Sequence, residues 1–182
     1  PLGDIVLDVP DPAPTEALKT WTYKDESRGE SFALFAVEPP LPPHQAVEAL
    51  DVVVVVDRSY STQAVRLAWA AEVVGDLVAR LPAGSRAQVL ACATRCEPLG
   101  GAGLQAVSRD LVGTFVREIA ELEPLGASRL DAALEAAGSA LKKGDVGAGR
   151  GRVVYIGDGI PTVGELDPGR LADVARDSLD GA

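Results

Sequence analysis

Three oxygen-bearing side chains, Asp57, Ser59 and Ser61, stand at alternate positions directly after five consecutive valines. A carboxylate and two hydroxyls at that spacing suit a hard divalent cation, which prefers oxygen ligands. A second carboxylate, Asp158, ends another apolar run, and a third hydroxyl, Ser128, lies in the loop Gly126-Ala127-Ser128. Brought together, these residues make a set of two carboxylates and three hydroxyls with no imidazole or thiolate. Mg2+ or Mn2+ fits such a set, and Ca2+ fits it less well because the anionic charge is low. An ion with so few anionic ligands keeps waters and stays open to a carboxylate from another molecule. Each residue also has a plainer role: Asp57 and Ser128 as helix caps, Ser59 and Ser61 as loop residues, Asp158 as a turn residue before Gly159.

Convergence of these groups requires a particular scaffold. The valines of Asp51-Val-Val-Val-Val-Val-Asp57 read as a short strand buried on both faces, as in the middle of a parallel sheet. Residues 62–81 read as a helix with Val65, Trp69, Val73 and Leu77 on one stripe, widened by Leu67, Val74 and Val78. Residues 87–93 are the next strand, and 96–99 are placed to pair back on it as a short edge strand. Helices follow over 109–122 and 128–143, the second opened by the capping signal Ser128 and Asp131. Residues 152–157 form a second buried strand, and Asp167-Pro168 opens a last helix through about Leu179. This alternation predicts a doubly wound α/β fold, with a mostly parallel sheet and helices on both faces. Such sheets place their binding crevice at the carboxyl ends of the strands, where Asp57 and Asp158 stand.

The first 43 residues differ from the rest. Strand patterns at 4–9, 18–23 and 31–37 suggest a short β-meander, and Pro39-Pro40-Leu41-Pro42-Pro43 a stiff linker. The expected division is a β-rich segment over 1–43 and an α/β domain over 44–182. With 17 basic and 27 acidic side chains the formal charge is −10, a field that repels phosphate backbones and argues against nucleic-acid binding. No stretch reaches the roughly 20 apolar residues a membrane-spanning helix needs. Cys92 and Cys96 read either as two small hydrophobes at a strand end or, across a tight hairpin, as a disulfide in an oxidising compartment. The single histidine, His44, sits in the linker, so no catalytic thiol–imidazole pair is expected.

The residues also carry a resemblance. Asp57-Arg58-Ser59-Tyr60-Ser61 is similar to the D-x-S-x-S signature of the von Willebrand factor type A domain. Residues 123–134 resemble that family's Gly-Gly-Thr segment and following helix, and residues 155–165 its strand ending in Thr-Asp-Gly. Ser128 stands where Thr is usual, Ala127 replaces a Gly, and Tyr60 replaces a small residue. The resemblance implies a metal-ion-dependent adhesion site, in which Ser59, Ser61 and Ser128 bind the ion directly and Asp57 and Asp158 directly or through water. It further implies a non-catalytic module, a protein partner that offers a carboxylate, and an extracellular or cell-envelope setting. Residues 31–40 resemble the end of the vault/inter-alpha-trypsin (VIT) domain, which often precedes a type A domain. The family normally adds two strands and a helix after the position of Leu179, so the chain is expected to be an internal piece of a larger protein. A rival reading is a phosphatase resembling the haloacid dehalogenase family, with Asp57 as nucleophile, Lys142 or Lys143 as the cation, and Gly157-Asp158-Gly159. That chemistry needs an acid two residues after the nucleophile, where this chain has Ser59. A third reading is a type A scaffold without a working metal site.

Overall fold

Alternation of large and small side chains in residues 18–37 produces a hairpin in which β1 (Leu18–Asp25) and β2 (Glu30–Val37) run antiparallel, Leu18 opposite Val37 and Asp25 opposite Glu30. Asp25 accepts hydrogen bonds from the Ser27 and Arg28 amides and organises the turn. The rings of Tyr23 and Phe32 stack across the strands. A computed structural model describes residues 18–25, 27–37, 48–147 and 149–180. The strand expected at 4–9 and the linker at 39–43 lie outside the described residues. By its internal contacts the chain forms two units, Pro1–Ala46 and Val47–Ala182.

The second unit is built around β3 (Asp51–Asp57), which is buried along its whole length. The chain continues as α1 (Ala64–Ala79), β4 (Arg86–Cys92), β5 (Cys96–Leu99), β6 (Gln105–Ala106), α2 (Arg109–Ala120), α3 (Leu130–Lys143), β7 (Gly151–Ile156) and α4 (Pro168–Leu179). The sheet order is β5-β4-β3-β7, with β3 parallel to both neighbours, β5 antiparallel at one edge, and β6 also paired to β4. The expected α/β architecture is therefore present, and β3 lies between two parallel partners. Val52, Val54 and Val56 pack under α1 and α2, while Val53 and Val55 pack under α3. Side chains alternate between the faces of a strand, so one valine run supplies both halves of the core.

On the helix over 64–79, Leu67, Val74 and Val78 of the expected stripe are buried, but its leading row is not. Val65, Trp69 and Val73 are exposed, and the buried arc is Leu67, Ala70, Ala71, Val74, Gly75 and Val78. The reason is distance. A Cβ on Gly75 would come within 2.8 Å of Val116 Cγ2, so α2 crosses closely over α1. Close approach selects small side chains, and an indole does not fit there.

The amino end of β3 carries a buried charge. Asp51 is fully buried and receives a bidentate grip from Arg86, Nε to Oδ1 at 2.7 Å and Nη2 to Oδ2 at 3.0 Å. Arg150 approaches Oδ2 at 3.6 Å. The Arg86 hydrogen bonds outweigh desolvation and hold the Asp51 carboxyl below its ordinary range. A depressed pKa gives stability that is complete above the ordinary carboxylate range and lost as pH falls through the folded value. Asp51→Asn is therefore expected to cost about 2 kcal/mol at neutral pH, the range for charged hydrogen bonds. The gap from wild type should close below about pH 4. Urea melts at several pH values check this, and a pH-independent gap would refute it.

Candidate metal centre

Asp57 ends β3, and although its side chain is charged it is only 3% exposed. Its Oδ1 accepts from the Ser59 amide at 2.7 Å, and its Oδ2 accepts from the Ser128 hydroxyl at 3.2 Å and the Tyr155 hydroxyl at 2.8 Å. Ser59 Oγ lies 2.9 Å from Ser61 Oγ. The loop carrying these serines is fixed by backbone bonds to two other segments: Arg58 N to Cys92 O, Leu125 N to Arg58 O, and Tyr60 N to Gly126 O. Cys92 is joined to Cys96 by a disulfide, which closes the β4–β5 hairpin beside this loop.

Ser128 is held from both sides of its backbone. Its amide donates to Thr162 Oγ1 at 3.0 Å, its carbonyl accepts from Thr162 N at 2.9 Å and Val163 N at 3.2 Å, and the next amide, Arg129 N, donates to Ala93 O. The hydroxyl is thereby aimed at Asp57 rather than at the helix. α3 starts at Leu130 with Arg129 at the N-cap position and no side-chain cap, so the capping role expected for Ser128 is not realised.

Asp158 lies two residues beyond β7 and is exposed. Its Oδ1 accepts from Ile160 N at 2.9 Å, a local turn bond. Asp57 and Asp158 line one cleft of about 310 Å3, together with Thr62, Arg66 and Trp69. Ser59, Ser61 and Ser128 line another of about 410 Å3 with Thr162. Hydrogen bonds from the Ser59 amide and the Ser128 hydroxyl join Asp57 to two of these serines, and Ser61 is linked through the Ser59 hydroxyl. Among the described residues no group of three or more His, Cys, Asp or Glu side chains could hold a metal. Any cation site here is built on hydroxyls with one or two carboxylates.

Two residues escaped the sequence reading. Thr162 holds Ser128, and nothing in the loop pattern singles it out. Tyr155 had a usable signal, strand parity: Val55 pairs with Tyr155, and Val53, Val55, Val153 and Tyr155 all pack on the α3 face. A polar-tipped ring two residues beyond Val153 in an apolar strand is thus carried to the face where Asp57 meets Ser128. Burial first, then the hydrogen bond to Asp57, raises the Tyr155 pKa far above the ordinary phenol value, so it remains a donor.

The donor set fits a small divalent ion. Oxygens about 2.0–2.1 Å from an octahedral Mg2+ are about 2.9 Å apart along an edge. The Ser59 and Ser61 hydroxyls, hydrogen-bonded at 2.9 Å, are close enough to share one ion. The phosphatase reading requires a lysine at Asp57. Lys142 and Lys143 stand at the far end of α3, whose 14 residues span about 20 Å from the Ser128 end. Lys142 Nζ instead donates to Asp177 O.

A parallel sheet with hydroxyl-rich loops at the carboxyl end of its central strand defines a Rossmann-like binding domain. The family model of the von Willebrand factor type A domain matches residues 52–160, and the chain belongs to that family. No curated protein matches the sequence significantly. Among solved structures, proximal thread matrix protein 1 from mussel byssus is 16% identical with a TM-score of 0.56, over 71% of this chain and 35% of its own. A second structure of that protein is described with a zinc-occupied MIDAS motif. An aerotolerance-related membrane protein from Bacteroides fragilis is 20% identical with a TM-score of 0.52, over 71% of this chain and 62% of its own. The type V pili tip protein Mfa5 from Porphyromonas gingivalis is 15% identical with a TM-score of 0.54, over 79% and 26%. The chain thus spans 35% and 62% of the first two, and the likeness shows the fold alone.

Gly157 lies close against Asp57 and Tyr155. A Cβ there would lie 2.6 Å from Asp57 Cβ and 2.8 Å from the Tyr155 ring and hydroxyl. Gly157→Ala is expected to destabilise the domain by about 1–3 kcal/mol, the range for overpacking. Chemical denaturation measures this, and a variant as stable as wild type would show that the backbone yields freely.

Proposed function

We infer that this chain is a non-catalytic protein-binding module that works through a divalent cation. Ser59, Ser61 and Ser128 are assigned as direct ligands of Mg2+ or Mn2+, with Asp57 and Asp158 acting directly or through water. The observation that carries the reading is the Ser59–Ser61 hydroxyl pair at 2.9 Å, beside a buried Asp57 that also engages Ser128. Neutral hydroxyls leave most of the ion's charge uncompensated, so a carboxylate from a partner protein is the natural group to complete the shell. The zinc-occupied motif of the mussel protein supports a metal-binding role for this site.

The β1–β2 hairpin supports reading residues 1–43 as the end of a VIT-like domain, ahead of a type A domain over 44–182. The greater lengths of the structural relatives support a module within a longer protein. The Cys92–Cys96 disulfide favours an oxidising, extracellular or envelope setting. No helix among the described residues is long and apolar enough to cross a membrane.

Ligand binding to the folded state alone stabilises it by about 2.7 kcal/mol at one hundred times Kd. For a domain of this size that raises the melting temperature by roughly 7–9 °C. Mg2+ or Mn2+ is expected to produce such a rise in wild type, and Asp57→Ala and Ser59→Ala to remove it while the domain still folds. An equal rise in all three proteins, followed by calorimetry or circular dichroism, would overturn the assignment.

A further inference from the structure

We propose that Tyr155 is a positioning residue that sets which cation the site prefers, by keeping Asp57 from offering both of its oxygens to the ion. This rests on the metal-site reading above. A carboxylate has about four lone-pair directions, two on each oxygen. On Asp57, both directions of Oδ2 are occupied, one by the Tyr155 hydroxyl at 2.8 Å and one by the Ser128 hydroxyl at 3.2 Å. The Ser59 amide takes one direction of Oδ1 at 2.7 Å, which leaves a single open direction on the whole group. Asp57 can therefore meet a cation, or a water bound to it, through Oδ1 only.

That restriction discriminates between ions. Ca2+ takes six to eight oxygens and readily uses a carboxylate through both of them, whereas Mg2+ holds to six at short, regular distances. A carboxylate confined to one oxygen removes an option that the larger ion uses and the smaller does not. Tyr155 is the part of this arrangement that is free to change. Ser59 and Ser128 are assigned to the ion, but the Tyr155 hydroxyl reaches Asp57 from β7 and is assigned no contact with the ion. Gly157 supports the pairing, since any side chain there would strike both Asp57 and the Tyr155 ring.

The test is isothermal titration of Mg2+ and Ca2+ into wild type, Tyr155→Phe and Tyr155→Leu, with metal-free melting curves showing that each variant folds. Phe keeps the ring and loses only the hydroxyl. Leu removes the donor with a different shape and covers the case in which Phe does not fold. The expected result is that the ratio of Ca2+ to Mg2+ affinity rises threefold or more in the variants. General loosening of the site would weaken both ions alike and leave the ratio unchanged, so a shift below threefold overturns the role of Tyr155 even if absolute affinities fall. If wild type gives no binding heat with either ion, or Asp57→Ala binds as wild type does, the metal-site reading itself fails, and this inference fails with it.

Discussion

A buried carboxylate is tolerated only when its lone pairs are met, and Asp57 meets that condition by drawing on three separate stretches of chain. One donor comes from its own turn, one from the loop before α3, and one from β7. Removing any of them leaves an anion short of a partner in a nearly dry place. The group that would work on a cation is thus also the group that ties the loop before α3 and β7 to the end of β3. Structure and proposed function depend on the same atom pair, and the backbone bonds from Thr162, Cys92 and Gly126 serve to keep that pair in register.

Behind the site, the sheet distributes its duties by parity. Even-numbered valines of β3 face α1 and α2, and odd-numbered ones face α3. Asp57, one step past Val56, falls on the odd side, where Ser128 is delivered by the loop before α3 and Tyr155 by β7. A register slip of a single residue would exchange the two sets and dissolve the cluster. The bidentate grip of Arg86 on Asp51 at the opposite end of β3 provides a polar contact that such a slip would break. One end of the strand supplies the anion for the site, and the other anchors the register that aims it.

Much of this was legible in the residues, because hydrophobic runs bounded by turn residues specify strands and helices through local physics. Five valines could only be a covered strand, and the Ser-loop and Gly-Ala-Ser segments announced their oxygen chemistry. What the sequence hid were choices that depend on distances between elements. On α1 the large residues Val65, Trp69 and Val73 form an apparent apolar face, yet the core takes Ala70, Ala71 and Gly75 beside Leu67, Val74 and Val78, with α2 too close at Gly75 for any side chain. Ser128 has the type and position of a helix cap, yet a buried anion competes for its hydroxyl more strongly than a backbone amide does. Thr162 acts mainly through a hydrogen bond to a backbone amide 34 residues away, a relation that no local pattern encodes.

The misplaced aromatic on α1 has an outcome for the spectroscopist. The protein has two tryptophans, Trp21 on the hairpin and Trp69 on α1, and they are 48% and 61% exposed, so both indoles already sit in water in the native state. Their emission colour should therefore change little when the sheet comes apart. The part of the fluorescence with something to report is Trp69, which borders the cleft lined by Asp57 and Asp158 and stands where a partner arriving at that cleft would dim or shift its glow.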